Sequence, residues 1–402
     1  MRSTADTPSS EIPRVVITGM GIVSPLGRDV TTFWERLNAA EAPAPTAFSP
    51  ETVLPADFSG TVADFGELPP PIRKQLAKSL KVMNRETQLG VAAAWQALQQ
   101  SAVLEAYPRE RMGITFGAEN VRIAPEDFDA GVANCLDESG NVDLNRWGTH
   151  GIAEVAPLWM LRCLPNMPAC HLAILADLRG PNNTITQTEL GMDLAIAEAC
   201  RIIRRGDADL MVVGGVGTHV ATMNQLRDHW RERDTDSDSD PRRIPSEGAG
   251  AIVIEEYEAA RQRGATILGE ILAAVSTSGT NQAGSPRRPP ALDRALTLAL
   301  RNSQLSVDQI GHLNLPQATL PTPASTPASP FAQTPIFSVR HRLGHAGAGS
   351  SAMELVASLL ALGQGASPEL PTPGENFLKI SYHGRKRSSC VAIARLMPES
   401  AS

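Results

Sequence analysis

The sequence predicts an α/β protein, and three observations carry the prediction. Residues 180–215 alternate strand, turn, helix, turn and strand. Thr184-Ile185-Thr186 is β-branched and suits a strand. Leu194, Ile196, Ala197, Ala199, Ile202 and Ile203 then give a helix with a broad apolar face. Gly206 stands where glycine relieves left-handed strain at a helix end. Leu210 to Val213 reads as a buried strand ending in the pair Gly214-Gly215. The second observation is Arg14 to Gly27, a buried strand and a glycine-rich turn. The third is length: 402 residues suffice for two packed lobes, or for one large α/β domain built by duplication.

The remaining elements follow in order. Residues 1–13 are polar with two prolines and read as a loose tail, without an apolar stretch for a signal peptide. Thr31 to Leu37 starts a helix, and the proline-laden 42–72 reads as a surface excursion. Asn84 to Leu98 carries Leu89, Ala92, Ala93 and Ala97 at helical spacing, and Arg111 to Gly117 is a short strand. Ala118 to Gly151 is polar, unpatterned and long for a connection. Pro157 to Leu178 is helical in part, with Pro165 and Pro168 as interruptions. Residues 216–230 connect, and 231–243 form a charged loop. Ala265 to Leu272 and His312 to Leu315 are strands, and Ala291 to Asn302 and Ala352 to Leu362 are helices. Residues 316–330 are low-complexity, with five prolines that forbid a helix. Cys390 to Leu396 is the last strand.

Composition excludes several classes. Hydrophobic residues make up 42% and charged residues 20%, which fits a globular chain. A formal charge of −7 with 4% aromatics argues against a nucleic-acid binder. The five scattered cysteines include no Cys-x-x-Cys pair, so reduced thiols in a cytoplasmic setting are expected, with no metal. A lone Gly-x-Gly near the N-terminus lacks the spacing of a dinucleotide loop, and no cofactor is expected. No run approaches the ~18 apolar residues of a membrane helix.

Gly180-Pro181, the strand–turn–helix after it, Gly206-Asp207-Ala208-Asp209 and the strand to Gly214-Gly215 resemble the β-ketoacyl synthases of the thiolase fold. The opening strand with Gly19, Gly21 and Ser24-Pro25-Leu26-Gly27 is similar to theirs, as is Glu247 to Glu256. The resemblance spans roughly 14–397. It implies a thiolase-like fold, a duplicated five-layered αβαβα architecture, with halves at 14–255 and 256–398.

Counting back from Gly206 without a gap puts Glu189 where that family has its nucleophilic cysteine. A helix start favours any anion, so an acid is well tolerated there. It cannot, however, form the thioester. The family's first catalytic histidine, in a His-Gly-Thr motif, finds only Gln317-Ala318-Thr319. His345 matches the second histidine, and Arg340 stands for the family's lysine. The Phe-Asp motif is missing from 231–243, and the Phe-Gly gate is replaced at Ile380 to Ser389 by Arg385, Lys386 and Arg387. Leu158 and Trp159 fall where the family has bulky residues at the acyl tunnel between subunits; Trp159 reads equally as a core tryptophan.

The resemblance therefore implies a chain-length-factor-like subunit, inactive alone, that pairs with an active ketosynthase and bounds the acyl tunnel. The vacated position usually holds glutamine in aromatic-polyketide factors, so glutamate leaves polyene and aryl-polyene systems equally open. Acyl carrier protein is expected to dock mainly on the partner, with Arg201, Arg204, Arg205 and the 385–387 run able to assist. Three alternatives stand beside this reading: a malonyl decarboxylase that primes chains, an acyl-binding homodimer without activity, and a ketosynthase using Cys200. The last would need a thiol about three helical turns from the nucleophile turn.

Overall fold

A computed structural model describes residues 12–39, 53–119, 125–221, 225, 244–279, 290–317, 330–365, 367, 368, 370, 374–383 and 387–395. Expectations for residues 1–11, the 231–243 loop, residues 318–329 and Arg385 and Lys386 fall outside these.

Ten strands run β1 (Val15–Val23), β2 (Met112–Gly117), β3 (Asn182–Ile185), β4 (Leu210–Thr218), β5 (Glu247–Glu256), β6 (Gly269–Ser278), β7 (His312–Asn314), β8 (Ile336–Phe337), β9 (Asn376–His383) and β10 (Arg387–Ala394). Their order is β3-β2-β4-β5-β1-β6-β10-β9-β7-β8. Read outward from the centre, the second five repeat the first. β5 is antiparallel to β1 and β4, while β2 is parallel to β4 and β3. Likewise β10 is antiparallel to β6 and β9, while β7 is parallel to β9 and β8. The halves join where Val16 and Ile17 of β1 meet Glu270 and Gly269 of β6.

Layering follows from the strand faces. One apolar cluster takes side chains from both halves of the sheet and from the helices Gly191–Arg204 and Ala348–Gln364, which form the central layer. A second covers the outer face of the first half with the helices Arg85–Ser101 and Met167–Ala176. A third covers the second half with Pro290–Ser303. This is the duplicated αβαβα arrangement expected of a thiolase-like fold.

Several local expectations need correction. β4 runs on through Gly214-Gly215 because glycine there makes room: a Cβ on Gly214 would strike the Phe116 ring, and one on Gly215 the Ala348 carbonyl. β6 begins at Gly269, not Ala265, and continues to Ser278, where it pairs with Arg387 of β10. Pro168 starts the helix Met167–Ala176 instead of interrupting it, in the first turn where its missing N–H is not needed. The described end of the 42–72 excursion is not all surface, since Ala56, Phe58 and Phe65 are buried. Within 118–151 there is local structure, a short helix Asp129–Ala133 and several single turns. Phe128 lies between Trp147 and Trp159, with ring centroids 6.3 and 5.1 Å away.

Candidate functional site

The turn that follows β3 is Gln187 to Leu190, and it leads directly into the central helix Gly191–Arg204. Glycine is required at this junction. A Cβ on Gly117, at the end of β2, would collide with the Gly191 backbone. Thr188 has φ +46°, a left-handed conformation that costs a β-branched residue free energy and clusters at functional sites. The next residue, Glu189, is buried, only 4% exposed, just before the helix N-terminus.

His383 at the end of β9 donates from Nδ1 to Glu189 Oε2 at 2.9 Å, and Thr188 Oγ1 lies 3.2 Å from the same nitrogen. His345 Nε2 is 3.5 Å from Glu189 Oε1. Arg387, opening β10, donates to Gln187 Oε1 at 2.6 Å. The β9 and β10 ends are thus tied by side chains to the turn. The His345 backbone is fixed by Ile244 O, which accepts from His345 N at 2.7 Å, and by Ser246 N, which donates to His345 O at 2.9 Å. His219, past the end of β4, sets its ring 4.8 Å from that of His345. Glu119 accepts from Ala348 N at 2.9 Å. Its carboxylate occupies the space a Cβ on Gly347 would need, and Gly347 itself has φ +54°.

A buried ionic chain underlies the turn. Arg340 Nε donates to Glu354 Oε1 at 2.6 Å. Glu354 Oε2 is 3.7 Å from Lys379 Nζ, and Asp193 Oδ1 is 3.9 Å from it. Lys379 donates to Ser381 Oγ at 2.6 Å, while Ser351 and Ser389 hydroxyls donate to Asp193 at 3.2 and 2.7 Å. Two cations face two carboxylates, which is what allows charges to remain where water is excluded. Burial alone would lower the Arg340 pKa, but Glu354 more than offsets it and the guanidinium is held above its ordinary value.

The structure therefore brings Glu189 and His345 together and links Arg340 to the floor beneath them. Gln317 is half-buried just past β7. Leu158 and Trp159 lie elsewhere, on the 125–163 excursion, with Leu158 exposed and Trp159 against Phe128. Of the basic residues considered for carrier docking, Arg201 pairs with Glu198 at 2.7 Å and Arg205 with Asp207 at 2.8 Å, so their local charge is largely compensated. Cys200 is buried and its thiol is pushed up to about 11 by burial, the opposite of an activated nucleophile. The sequence reading overlooked His219, Glu119 and Lys379. Only Lys379 left a signal, a lone charge inside the apolar run Phe377-Leu378-Lys379-Ile380. No helix among the described residues is long and apolar enough to cross a membrane.

Comparison with known proteins agrees with this architecture. The family described as Beta-ketoacyl synthase, N-terminal domain, matches residues 13–260. The 3-oxoacyl-[acyl-carrier-protein] synthase 2 of Vibrio cholerae is 30% identical over 351 residues, covering 83% of this chain and 78% of that protein. Among solved structures, a beta-ketoacyl synthase from Burkholderia phymatum superposes with TM-score 0.73 at 20% identity, covering 96% of this chain and 100% of the other. The ishigamide ketosynthase/chain length factor gives TM-score 0.72 at 19% identity, with the same coverage. The chain belongs to the β-ketoacyl synthase family.

Proposed function

We propose that this chain is a non-catalytic, chain-length-factor-like subunit that pairs with an active ketosynthase and helps shape the acyl tunnel during carrier-protein-bound elongation. One observation carries the reading: Glu189, which the gapless count aligns with the family's nucleophile, is a buried carboxylate held by His383 and His345. A carboxylate so engaged cannot carry the growing chain as a thioester. Condensation also needs a thiolate and two imidazoles acting as a unit, and the nearest match to the family's first histidine motif, Gln317-Ala318-Thr319, carries no histidine. The open edge at β3, hydrogen-bonded to β2 alone among the described strands, supports pairing with a second subunit. The acyl-carrier-protein specificity in the name of the Vibrio cholerae relative supports carrier-bound substrates.

Co-expression with an intact ketosynthase encoded in the same gene neighbourhood is expected to yield a one-to-one complex by size-exclusion chromatography with light scattering. Recovery of this chain only as a homodimer would favour the acyl-binding alternative. Within the complex, Trp159→Ala is expected to lengthen the products seen by mass spectrometry, because packed tunnel ends discriminate by volume. Trp159 also packs on Phe128, so Leu158→Ala, at an exposed position, serves as the companion variant. An unchanged product distribution in both would remove this pair as a length determinant.

A second reading, decarboxylation of malonyl-carrier protein for priming, is favoured by the His219–His345 contact, which places a second imidazole beside the retained one. Conversion of malonyl- to acetyl-carrier protein by the purified chain would favour it over the first.

A further inference from the structure

At the turn before the central helix, a buried acid holds a half-exposed imidazole. The Glu189 side chain is 6% exposed and the His383 side chain 46%. Surface pairs in this chain are built otherwise: in Arg201–Glu198 and Arg261–Glu258 both members meet solvent. His383 Nδ1 donates to Glu189 Oε2 at 2.9 Å, which orients the ring and makes Nε2 the basic nitrogen of the neutral imidazole. His345 Nε2, 3.5 Å from Oε1, steadies the other oxygen of the same carboxylate. Thr188 keeps φ +46° beside them, a strained conformation that persists only where its surroundings fix it. A carboxylate behind an imidazole that meets solvent is the arrangement in which histidine takes a proton from water or a hydroxyl. Thr188 Oγ1 is not placed to be that hydroxyl, because it lies 3.2 Å from Nδ1, the nitrogen already engaged by Glu189. Water is the nucleophile that remains.

We propose that His383, held by Glu189, is a general base that hydrolyses acyl thioesters at this turn. Resting on the acyl-thioester class of substrate proposed above but not on subunit pairing, the reaction adds hydrolysis to a chain that does not condense. Nε2 of His383 takes a proton from water as the water oxygen bonds to the thioester carbonyl carbon. The tetrahedral adduct collapses with loss of the C–S bond, and the imidazolium returns the proton to the departing sulfur. A free acid and a thiol result, no acyl group is bonded to the protein, and water is the only co-reactant. Glu189 and His345 act through His383 and are positioning residues.

The test follows thiol release from octanoyl-pantetheine by the purified chain, with p-nitrophenyl octanoate beside it as an activated oxygen ester. Wild type is expected to hydrolyse both, at a rate that rises between about pH 5 and 8 as imidazole loses its proton. His383→Ala should be at least ~10²-fold slower, and added imidazole should restore part of the loss, which a merely structural role would not allow. Glu189→Gln should lose at least ~10-fold, and its pH profile should move to lower pH because the anion that favours imidazolium is gone. His383→Gln is the second variant should alanine unfold the chain. Equal rates in wild type and the His383 variants, or a folded His383→Ala that imidazole does not rescue, would overturn the general base. An octanoyl adduct in the intact mass would overturn direct attack by water. His383-dependent hydrolysis of the oxygen ester with no thiol released from the thioester would instead defeat the substrate class, and with it the reading on which this reaction rests.

Discussion

Glu189→Cys is expected to give a reactive thiol and no condensing enzyme. The substituted sulfur would sit just before the N-terminus of Gly191–Arg204, where the helix dipole favours a thiolate, so labelling by iodoacetamide should be rapid. Turnover with acyl and malonyl thioesters should still fall at least ~10³-fold short of an intact ketosynthase, since members of a cooperative constellation do not act singly. Wild type should show no acyl adduct by intact mass. Condensation by the cysteine variant at a rate near that of an active relative would contradict this, and would mean that His219 beside His345 supplies a second imidazole.

Lys379→Met is expected to produce the largest loss of stability of any single charge removal near the turn. Lys379 is fully buried, and its ammonium is the cation between Asp193 and Glu354. Methionine fills similar volume but leaves buried negative charge uncompensated, which costs about 3–5 kcal/mol. In a chain of this size that should lower the melting temperature by on the order of 5 °C. Arg261→Ala, which removes an exposed i,i+3 pair with Glu258, is the comparison and should change little. Equal melting temperatures for the two variants would show that the ionic chain does not hold the floor of the site.

The site was legible in the sequence only in part, and particular residues show why. Glu189, His345 and Arg340 sit in local patterns, a strand–turn–helix and a Gly-His turn, whose spacing is fixed by backbone geometry and so survives as sequence. The partner of Glu189 is His383, 194 positions away, and Asp193 meets Lys379 only because the central helix packs on β9. Neither contact has a periodic signature. Gly214-Gly215 misled for a related reason, because glycine there answers the Phe116 ring and the Ala348 carbonyl on other elements. Segment 118–151 looked featureless because its order comes from aromatic contacts across long separations, not from helical or strand periodicity.

The sequence by itself determined the thiolase-like duplicated architecture and the place of Glu189 at the turn before the central helix, since both are written in short spans where neighbours in the chain are neighbours in space. Only the tertiary structure decided that the Glu189 carboxylate is held between two imidazoles over a neutralised ionic floor, and that seven large apolar side chains of 125–163 are exposed. Those facts depend on which distant segments the sheet and the central helices bring together, and long-range packing leaves no fixed interval to read.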